Sequence, residues 1–153
     1  MFREMRKKDR ELAVEEALQI LKAQTYGILS TMGEDGYPYG VPVNYVVDKD
    51  KIYFHCAKDA GHKVENIRYC PRVCFTVVGD SEVLPSKFST RYESAVVYGE
   101  CREADHKQKA LEKLIEKYSP DYRECGLKYI KEAMDITGVY EITIEQVTGK
   151  ACR

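Results

Sequence analysis

Three apolar, β-rich segments separated by tight turns constrain the first half of the chain most strongly. Tyr26–Met32 ends at Gly33-Glu34-Asp35-Gly36, a hairpin signal because Gly and Asp-Gly accept a positive φ at little cost. Tyr39–Asp48 follows, and Asp48-Lys49-Asp50-Lys51 turns the chain into Ile52–Ala57. Tight turns of this kind join antiparallel strands, so the pattern predicts a three-stranded antiparallel meander in which Tyr39–Asp48 and Ile52–Ala57 are neighbours.

Three further segments are rich in β-branched and aromatic residues or alternate in polarity: Arg72–Val78, Ser94–Ala104 and Gly138–Val147. The polar stretch Gly79–Tyr92 between two of them is predicted to be a long loop, and loops of that length are often functional. The sum is six mostly antiparallel strands. A sheet of this size avoids exposed edges best by closing on itself, so the predicted fold is mainly β with α (α+β), a six-stranded antiparallel barrel with flanking helices.

Apolar residues at helical spacing predict four helices, at Asp9–Gln24, Gly61–Tyr69, His106–Tyr118 and Gly126–Asp135. Asp9 is the predicted N-cap of the first helix. The chain has no internal repeat, linker or low-complexity stretch, and 153 residues suit one domain. We therefore predict a single domain over residues 1–153.

The charge balance excludes one class of function. With 24 basic and 25 acidic side chains the net charge is −1, so binding to nucleic acid through bulk basicity is not expected. No apolar run reaches the roughly 18–20 residues of a membrane span, and the charged N-terminus lacks the apolar stretch of a signal peptide. We expect a cytoplasmic protein whose six cysteines are reduced thiols.

One cysteine pair suggests a metal site as an alternative. Cys70 and Cys74 form a CxxxC pattern, with His55 and His62 upstream. Zinc uses such ligands, but small buried thiols on strands explain the same residues, and this second interpretation is favoured. No metal is therefore expected.

The segment from Ile52 to Lys63 is the most informative about chemistry. A strand ends, a short loop follows, and a helix begins at Gly61-His62-Lys63. The first amides of a helix have no internal partners, the helix dipole adds partial positive charge, and Lys63 adds a full charge. This arrangement suits a phosphate group. A capped helix with two solvated basic residues is the alternative.

A second candidate segment is Tyr37–Tyr45. Gly40 and Pro42 interrupt regular strand pairing, which would leave main-chain N–H and C=O groups free. A planar heterocycle with hydrogen-bonding edges could use such groups. A strand with an irregular rim explains the sequence equally well.

Both segments belong to a resemblance that covers roughly Tyr26 to Ala104. It is carried by TYGILSTMGEDGYPYGVPVNYVV, IYFHCAKDAGHKVENI, PRVCFTVVG and KFSTRYESAVVYG. These segments resemble the FMN-binding split-barrel superfamily, which includes pyridoxamine 5′-phosphate oxidase, and most of all its small nitroimidazole-resistance (Nim) members. The resemblance implies a six-stranded split barrel that works as a homodimer, with FMN in a groove at the dimer interface.

The resemblance also implies roles for particular residues. His62 and Lys63 would hold the phosphate, with His62 standing where the family often has arginine. Tyr92 to Ser94 would approach from the partner subunit, beside the loop with Ser89, Thr90 and Arg91. The proton for catalysis would come from Tyr92, His55 or solvent. The implied cofactor-binding residues are Val41, Pro42, Val43, Asn44, Tyr45, His55, Cys56, Ala57, Gly61, His62, Lys63, Asn66, Thr90, Arg91, Tyr92 and Ser94.

The function that the resemblance implies is an FMN-dependent oxidoreductase. Electrons would pass from a reduced donor, NADH or NADPH, to a small acceptor such as a nitro-aromatic compound. Two alternatives stay open: a flavin-binding protein without catalysis, and a split barrel that binds haem with His55 or His62 as the ligand.

Overall fold

The computed structural model describes all 153 residues and contains one eight-stranded antiparallel sheet with four α-helices. The strands are β1 (Glu11–Leu12), β2 (Gly27–Met32), β3 (Pro38–Val43), β4 (Val46–Asp48), β5 (Lys51–Ala57), β6 (Arg72–Leu84), β7 (Ser89–Glu103) and β8 (Thr137–Cys152). The helices are α1 (Val14–Ala23), α2 (His62–Tyr69), α3 (Lys107–Tyr118) and α4 (Arg123–Ala133).

The order of the strands explains why the sheet is curled. Neighbouring strands follow the path β3-β2-β6-β7-β8-β5-β4, and β1 is added to β8. The two strands at the ends of this path, β3 and β4, are joined in sequence by only Asn44 and Tyr45. Because two residues span only about 7 Å, the sheet must curl until its two ends come close together, although β3 and β4 do not pair. The predicted α+β split-barrel architecture is confirmed.

The predicted meander is wrong in one respect. Tyr39–Asp48 is not one strand: β3 pairs with β2 and β4 pairs with β5, so β3 and β5 are not neighbours in the sheet. The chain changes partner at Tyr45, whose side chain is fully buried and whose hydroxyl donates a hydrogen bond to the Leu21 carbonyl. This division and the short β1 account for eight strands where six are predicted.

The predicted loop at Gly79–Tyr92 is also wrong. β6 and β7 continue through this stretch as a paired hairpin, closed by a 3₁₀ turn at Pro85–Lys87 and by Phe88 with a φ of 49°. The register shifts between Val78 and Ser81. Such a bulge, together with polar residues on both faces, hides the strand alternation in the sequence.

The four helices are confirmed with shifted ends. α1 begins at Val14 rather than at Asp9, because residues 8–10 form a separate 3₁₀ turn and Ala13 is the N-cap. α4 begins at Arg123, three residues before the predicted Gly126. The last strand runs on to Cys152. None of the four helices combines the length and the apolar character that a membrane span requires.

Two apolar clusters hold the structure together. The larger one fills the curled sheet and is covered by α1, which contributes Ala17, Ile20 and Leu21. The smaller one lies between α3, α4 and the outer face of the sheet. Its buried members are Ala110, Leu111, Leu114, Ile130 and Val139. All six cysteines are free thiols in the structure.

Candidate functional site

A cleft opens where β3 and β5 diverge. Val46 lies opposite Tyr53 in the β4–β5 ladder, and extending that register by two residues would place Asn44 opposite His55. The chain of β3 leaves toward β2 instead, so residues 41–44 and 55–57 face each other without a ladder. We call this gap the cleft. Its two walls carry strand edges with unpaired main-chain groups, because β3 is the end strand of the sheet. The predicted interruption of pairing at Gly40 and Pro42 is wrong, since β3 pairs with β2 without a break through both residues.

The N-terminus of α2 lies at one end of this cleft and is free of side-chain caps. Its N-cap, Gly61, has a φ of 103° and a ψ of 161°, a conformation that is essentially restricted to glycine. A Cβ atom at Gly61 would meet nothing within 4 Å, so the space before the helix is open. The first intrahelical bond runs from the Glu65 N–H to the Gly61 carbonyl, which leaves the amides of residues 62–64 without helical partners.

Lys63 brings positive charge to the same place. Its side chain is half-buried and forms no salt bridge. Burial, and then the charge of Lys63, lower the pKa of His55 below its ordinary value. Burial raises the pKa of Cys56, and Lys63 partly opposes that shift. At neutral pH His55 is therefore a neutral imidazole and Cys56 a protonated thiol.

His55 and Cys56 face opposite sides of β5. Cys56 packs against the main core, whereas His55 lies on the outer face, where side chains of α3 and α4 surround part of it. The same alternation in β3 turns Val41 and Val43 toward the core and leaves Pro42 outside. Only the outward residues and the main chain can therefore contact a ligand in the cleft.

Two predicted phosphate-site residues instead fasten α2 to its surroundings. The His62 ring stacks on Tyr39 of β3, with 3.9 Å between ring centroids and 26° between planes. Asn66 is buried, and its Nδ2 donates to Thr31 Oγ1 over 3.0 Å. Asn66 thus positions the helix, while His62 remains exposed at its first turn.

An apolar pocket lies beside the cleft, between the outer face of β5 and the pair α3 and α4. Its volume is about 320 Å³. Asn44 and His55 line it from the sheet side, so it adjoins the cleft directly. We call it the apolar pocket, and its other lining residues are Leu111, Leu114, Ile115, Tyr118, Ser119, Tyr129, Ile130, Ala133 and Thr137.

Tyr118 also supports the joint between β3 and β4. Its hydroxyl accepts a hydrogen bond from the Tyr45 N–H over 2.9 Å and lies 2.7 Å from the Thr25 carbonyl, to which it can donate. Lys117 Nζ donates to the Tyr45 carbonyl over 2.9 Å and sits 3.8 Å from the centre of the Tyr45 ring. Asn44 Nδ2 donates to the Thr25 carbonyl over 2.8 Å. The main chain of Tyr45 is therefore already occupied and has nothing to offer a cofactor.

Tyr118 and the whole wall formed by α3 and α4 were not predicted from the sequence. Tyr118 is 73 residues from Tyr45 in sequence, and no local pattern connects them. The only available signal was the apolar face predicted for the third helix, which packs against the sheet beside the cleft.

A second group of predicted site residues lies at the other end of the molecule. Ser94 is opposite Lys150 of β8, whereas His55 is opposite Val139 of the same strand. These two positions on β8 are eleven residues apart, or about 35 Å of strand. Thr90, Arg91 and Tyr92 lie further along the same hairpin, with Arg91 paired to Glu82. One chain does not bring them to the cleft.

The alternative zinc site at Cys70 and Cys74 is not supported by the structure. No group of three or more His, Cys, Asp or Glu side chains is close enough to hold a metal ion. Cys74 Sγ lies 3.7 Å from Thr76 Oγ1, on the face of β6 that points away from the core.

Comparison with known proteins places the chain in a family. The sequence pattern described as pyridoxamine 5′-phosphate oxidase matches residues 13–151. The chain belongs to this family. No curated protein matches the sequence.

Solved structures share the split-barrel fold of the pyridoxamine 5′-phosphate oxidase family. A Bacteroides thetaiotaomicron protein described as a 5-nitroimidazole antibiotic resistance protein is 21% identical, with a TM-score of 0.73 over 92% of this chain and 85% of that one. A FAD-binding protein of Mesorhizobium loti is 26% identical, with a TM-score of 0.66 over 94% and 97%. A FAD- and haem-binding protein of Mycobacterium smegmatis is 18% identical, with a TM-score of 0.80 over 94% and 74%.

Proposed function

We propose that this protein is a homodimeric FMN-dependent oxidoreductase. It passes electrons from a reduced donor, NADH or NADPH, to a small acceptor, with nitro-aromatic compounds as candidates. The observation that carries the proposal is the cleft, which has unpaired strand edges along its length and an uncapped helix N-terminus with Lys63 at one end. A ligand with a planar, hydrogen-bonding ring and a terminal phosphate fits this cleft. The ring would lie along the strand edges, and the phosphate would lie at the helix N-terminus beside Lys63.

The residues divide the binding of FMN between them. The amides of residues 62–64 and the Lys63 ammonium bind the phosphate, and the free edges of β3 and β5 face the flavin ring. Bound FMN supplies the redox chemistry of the reaction. His55, held neutral at the junction of the cleft and the apolar pocket, is positioned to exchange a proton with the substrate.

The hairpin residues support the homodimer. Thr90, Arg91 and Tyr92 are remote from the cleft of their own chain, so they can reach a cleft only in a second copy. The hairpin also exposes large apolar side chains: Phe88 at its turn is 97% exposed, and Val83 is 68% exposed. Burial of such side chains between two copies would stabilise the dimer by roughly 1.5–3 kcal/mol each.

The test begins with purified protein and two flavins. Uptake of FMN with quenching of its fluorescence is expected, followed by anaerobic bleaching of the flavin with NADH or NADPH and reoxidation by a nitro-aromatic acceptor. FAD is titrated in parallel, because it shares the ring and the phosphate. Protein that takes up neither flavin contradicts the proposal. Uptake without turnover would identify the alternative, a flavin-binding protein that is not an enzyme.

Sedimentation of the same protein tests the dimer. We expect a homodimer that dissociates when Phe88→Asp places a charge at the hairpin turn. If the wild-type protein is a monomer and still binds FMN, residues of a second copy are not part of the FMN site.

Haem is a second candidate ligand, and His55 is the observation that favours it. A neutral imidazole beside an apolar pocket is a suitable haem ligand. The visible spectrum separates the two cofactors, since haem gives an intense Soret band that flavin lacks.

A further inference from the structure

The apolar pocket has a lining that defines a class of ligand. It is walled by leucine, isoleucine, alanine and tyrosine side chains of α3 and α4, and no charged residue contributes to it. We propose that this pocket binds the ring of a small neutral aromatic molecule, the organic substrate of the flavin reaction. Its role as substrate rests on the proposed function, but its binding does not.

No charged residue of α3 lines the pocket. Lys113 lies 3.6 Å from Asp48 in a salt bridge, and Lys117 donates to the Tyr45 carbonyl. Glu112 accepts a hydrogen bond from Gln108. A charged ligand in the pocket would therefore lose its hydration without gaining an opposite charge, which is strongly unfavourable.

Besides its two tyrosines, four of the eleven lining residues of the pocket carry hydrogen-bonding side chains. Asn44 and His55 contribute from the sheet, and Ser119 and Thr137 add hydroxyl groups. These groups suit one neutral polar substituent, such as a nitro or carbonyl group, on an otherwise apolar ring. The volume of about 320 Å³ lies at the lower end of the range for ligand pockets. That volume favours a molecule of one or two rings.

The pocket is separate from the proposed phosphate site. No residue of α2 lines it, and it shares with the cleft only Asn44 and His55. FMN in the cleft and an aromatic molecule in the pocket would therefore be neighbours at these two residues rather than competitors.

Fluorine NMR of two matched probes tests the inference on the purified protein. Para-fluoronitrobenzene is neutral, and para-fluorobenzoate has a ring of the same size with a negative charge. Broadening of the neutral probe alone is expected, and it should persist in the presence of saturating FMN. Equal binding of both probes, binding of neither, or displacement of the neutral probe by FMN would each overturn the proposal.

Substitutions locate the binding. Ala133→Leu places a larger side chain in the pocket and should weaken affinity for the neutral probe about tenfold or more, with FMN affinity unchanged. Glu132→Leu adds the same side chain at the exposed neighbouring position and should have no effect. Tyr129→Ala removes an exposed part of the pocket wall and should also weaken the affinity for the neutral probe. Because Tyr129 is exposed, the variant should still fold.

The two proposals fail in different ways. If Ala133→Leu and Tyr129→Ala both leave the probe affinity unchanged, the aromatic molecule binds elsewhere and the inference is wrong. Protein that binds FMN but no probe contradicts the inference alone. Protein that binds the neutral probe in this pocket but takes up no flavin contradicts the proposed function and leaves the pocket's ligand class standing.

Discussion

The cleft and the apolar pocket meet at Asn44 and His55, yet they differ in almost every physical property. The cleft offers unpaired main-chain groups, a helix N-terminus and the ammonium of Lys63. The pocket offers apolar side chains and no charge. A ligand with an anionic end suits only the first, and a neutral ring suits only the second.

The two regions also arise from different parts of the chain. The cleft is largely local, since β5, a short loop and the start of α2 lie within 13 residues, from Lys51 to Lys63. The pocket is assembled from β5, β8, the β3–β4 joint and two helices that come some 50 residues later. The cleft can therefore be recognised in the sequence, because its residues are close together in the chain. The pocket cannot, because its residues come from distant segments.

Lys63→Met should produce the largest difference between the two regions. Loss of a charge-assisted contact to the phosphate is worth about 1.5–3 kcal/mol, which is about 10- to 150-fold in FMN affinity. Fluorescence titration measures it. The neutral probe should bind the variant as tightly as the wild type. Lys109→Met, which removes an exposed lysine of α3, is the control and should leave both affinities unchanged. Equal FMN affinity in all three proteins would remove Lys63 from the site.

Gly61→Ala and Gly36→Ala form a matched pair. Both glycines have positive φ, 103° and 80°, and a Cβ at either would meet no atom within 4 Å. Each substitution should cost about 1–3 kcal/mol of unfolding free energy through backbone strain alone. Only Gly61→Ala should also weaken FMN binding, because the strain shifts the first amides of α2. Urea denaturation measures the loss of stability, and FMN titration measures the loss of affinity. Equal FMN affinity in both variants would contradict the binding of FMN by the N-terminus of α2.

Tyr118→Phe tests the pocket side. The substitution keeps the ring in the wall but removes the acceptor of the Tyr45 N–H and the donor to the Thr25 carbonyl. Leaving these groups unpaired should lower the free energy of unfolding by about 1–2 kcal/mol. Tyr122→Phe, at an exposed tyrosine, is the control and should be neutral. Equal stability of the two variants in urea would show that the joint does not depend on this hydroxyl.

Much of the fold could be predicted because its signals are local. β2, β5 and α2 lie within one residue of the bounds that apolar alternation, turn residues and Pro71 indicate. The division of Tyr39–Asp48 could not be predicted, because Tyr45 leaves the strand to fill the core beneath Leu21, a contact between distant positions. The hairpin at Gly79–Tyr92 was hidden because its strands project beyond the core and carry polar residues on both faces.

The candidate site divides in the same way. The charge of Lys63 acts on His55, and His62 precedes Lys63 at the start of α2, because a strand, a loop and a helix follow one another there. Tyr45 was an expected ligand, but burial of its ring turns it into a core residue. Whether Tyr92 joins the site depends on a second chain, whose position no pattern within one chain encodes.

His55 reports on both regions at once. Burial and the Lys63 charge lower its pKa, so Lys63→Met should raise that pKa toward the ordinary value of 6.5, whereas Lys109→Met should not. The phosphate of FMN, by neutralising Lys63, should shift the pKa of His55 in the same direction. Titration of the His55 ring proton by NMR, assigned with His55→Gln, measures both effects.

The same shift makes a prediction for stability. The unfolded chain binds the His55 proton more tightly than the folded protein does, so the free energy of unfolding falls as the pH drops through 6.5 toward the lowered folded pKa. Lys63→Met brings the folded pKa of His55 closer to the unfolded pKa, so it should reduce the loss of unfolding free energy that His55 causes. This loss is measured by urea denaturation above and below pH 6.5. Each protein is compared with the same protein carrying His55→Gln. If the loss is the same with and without Lys63, the cleft and the pocket are not electrostatically connected through His55.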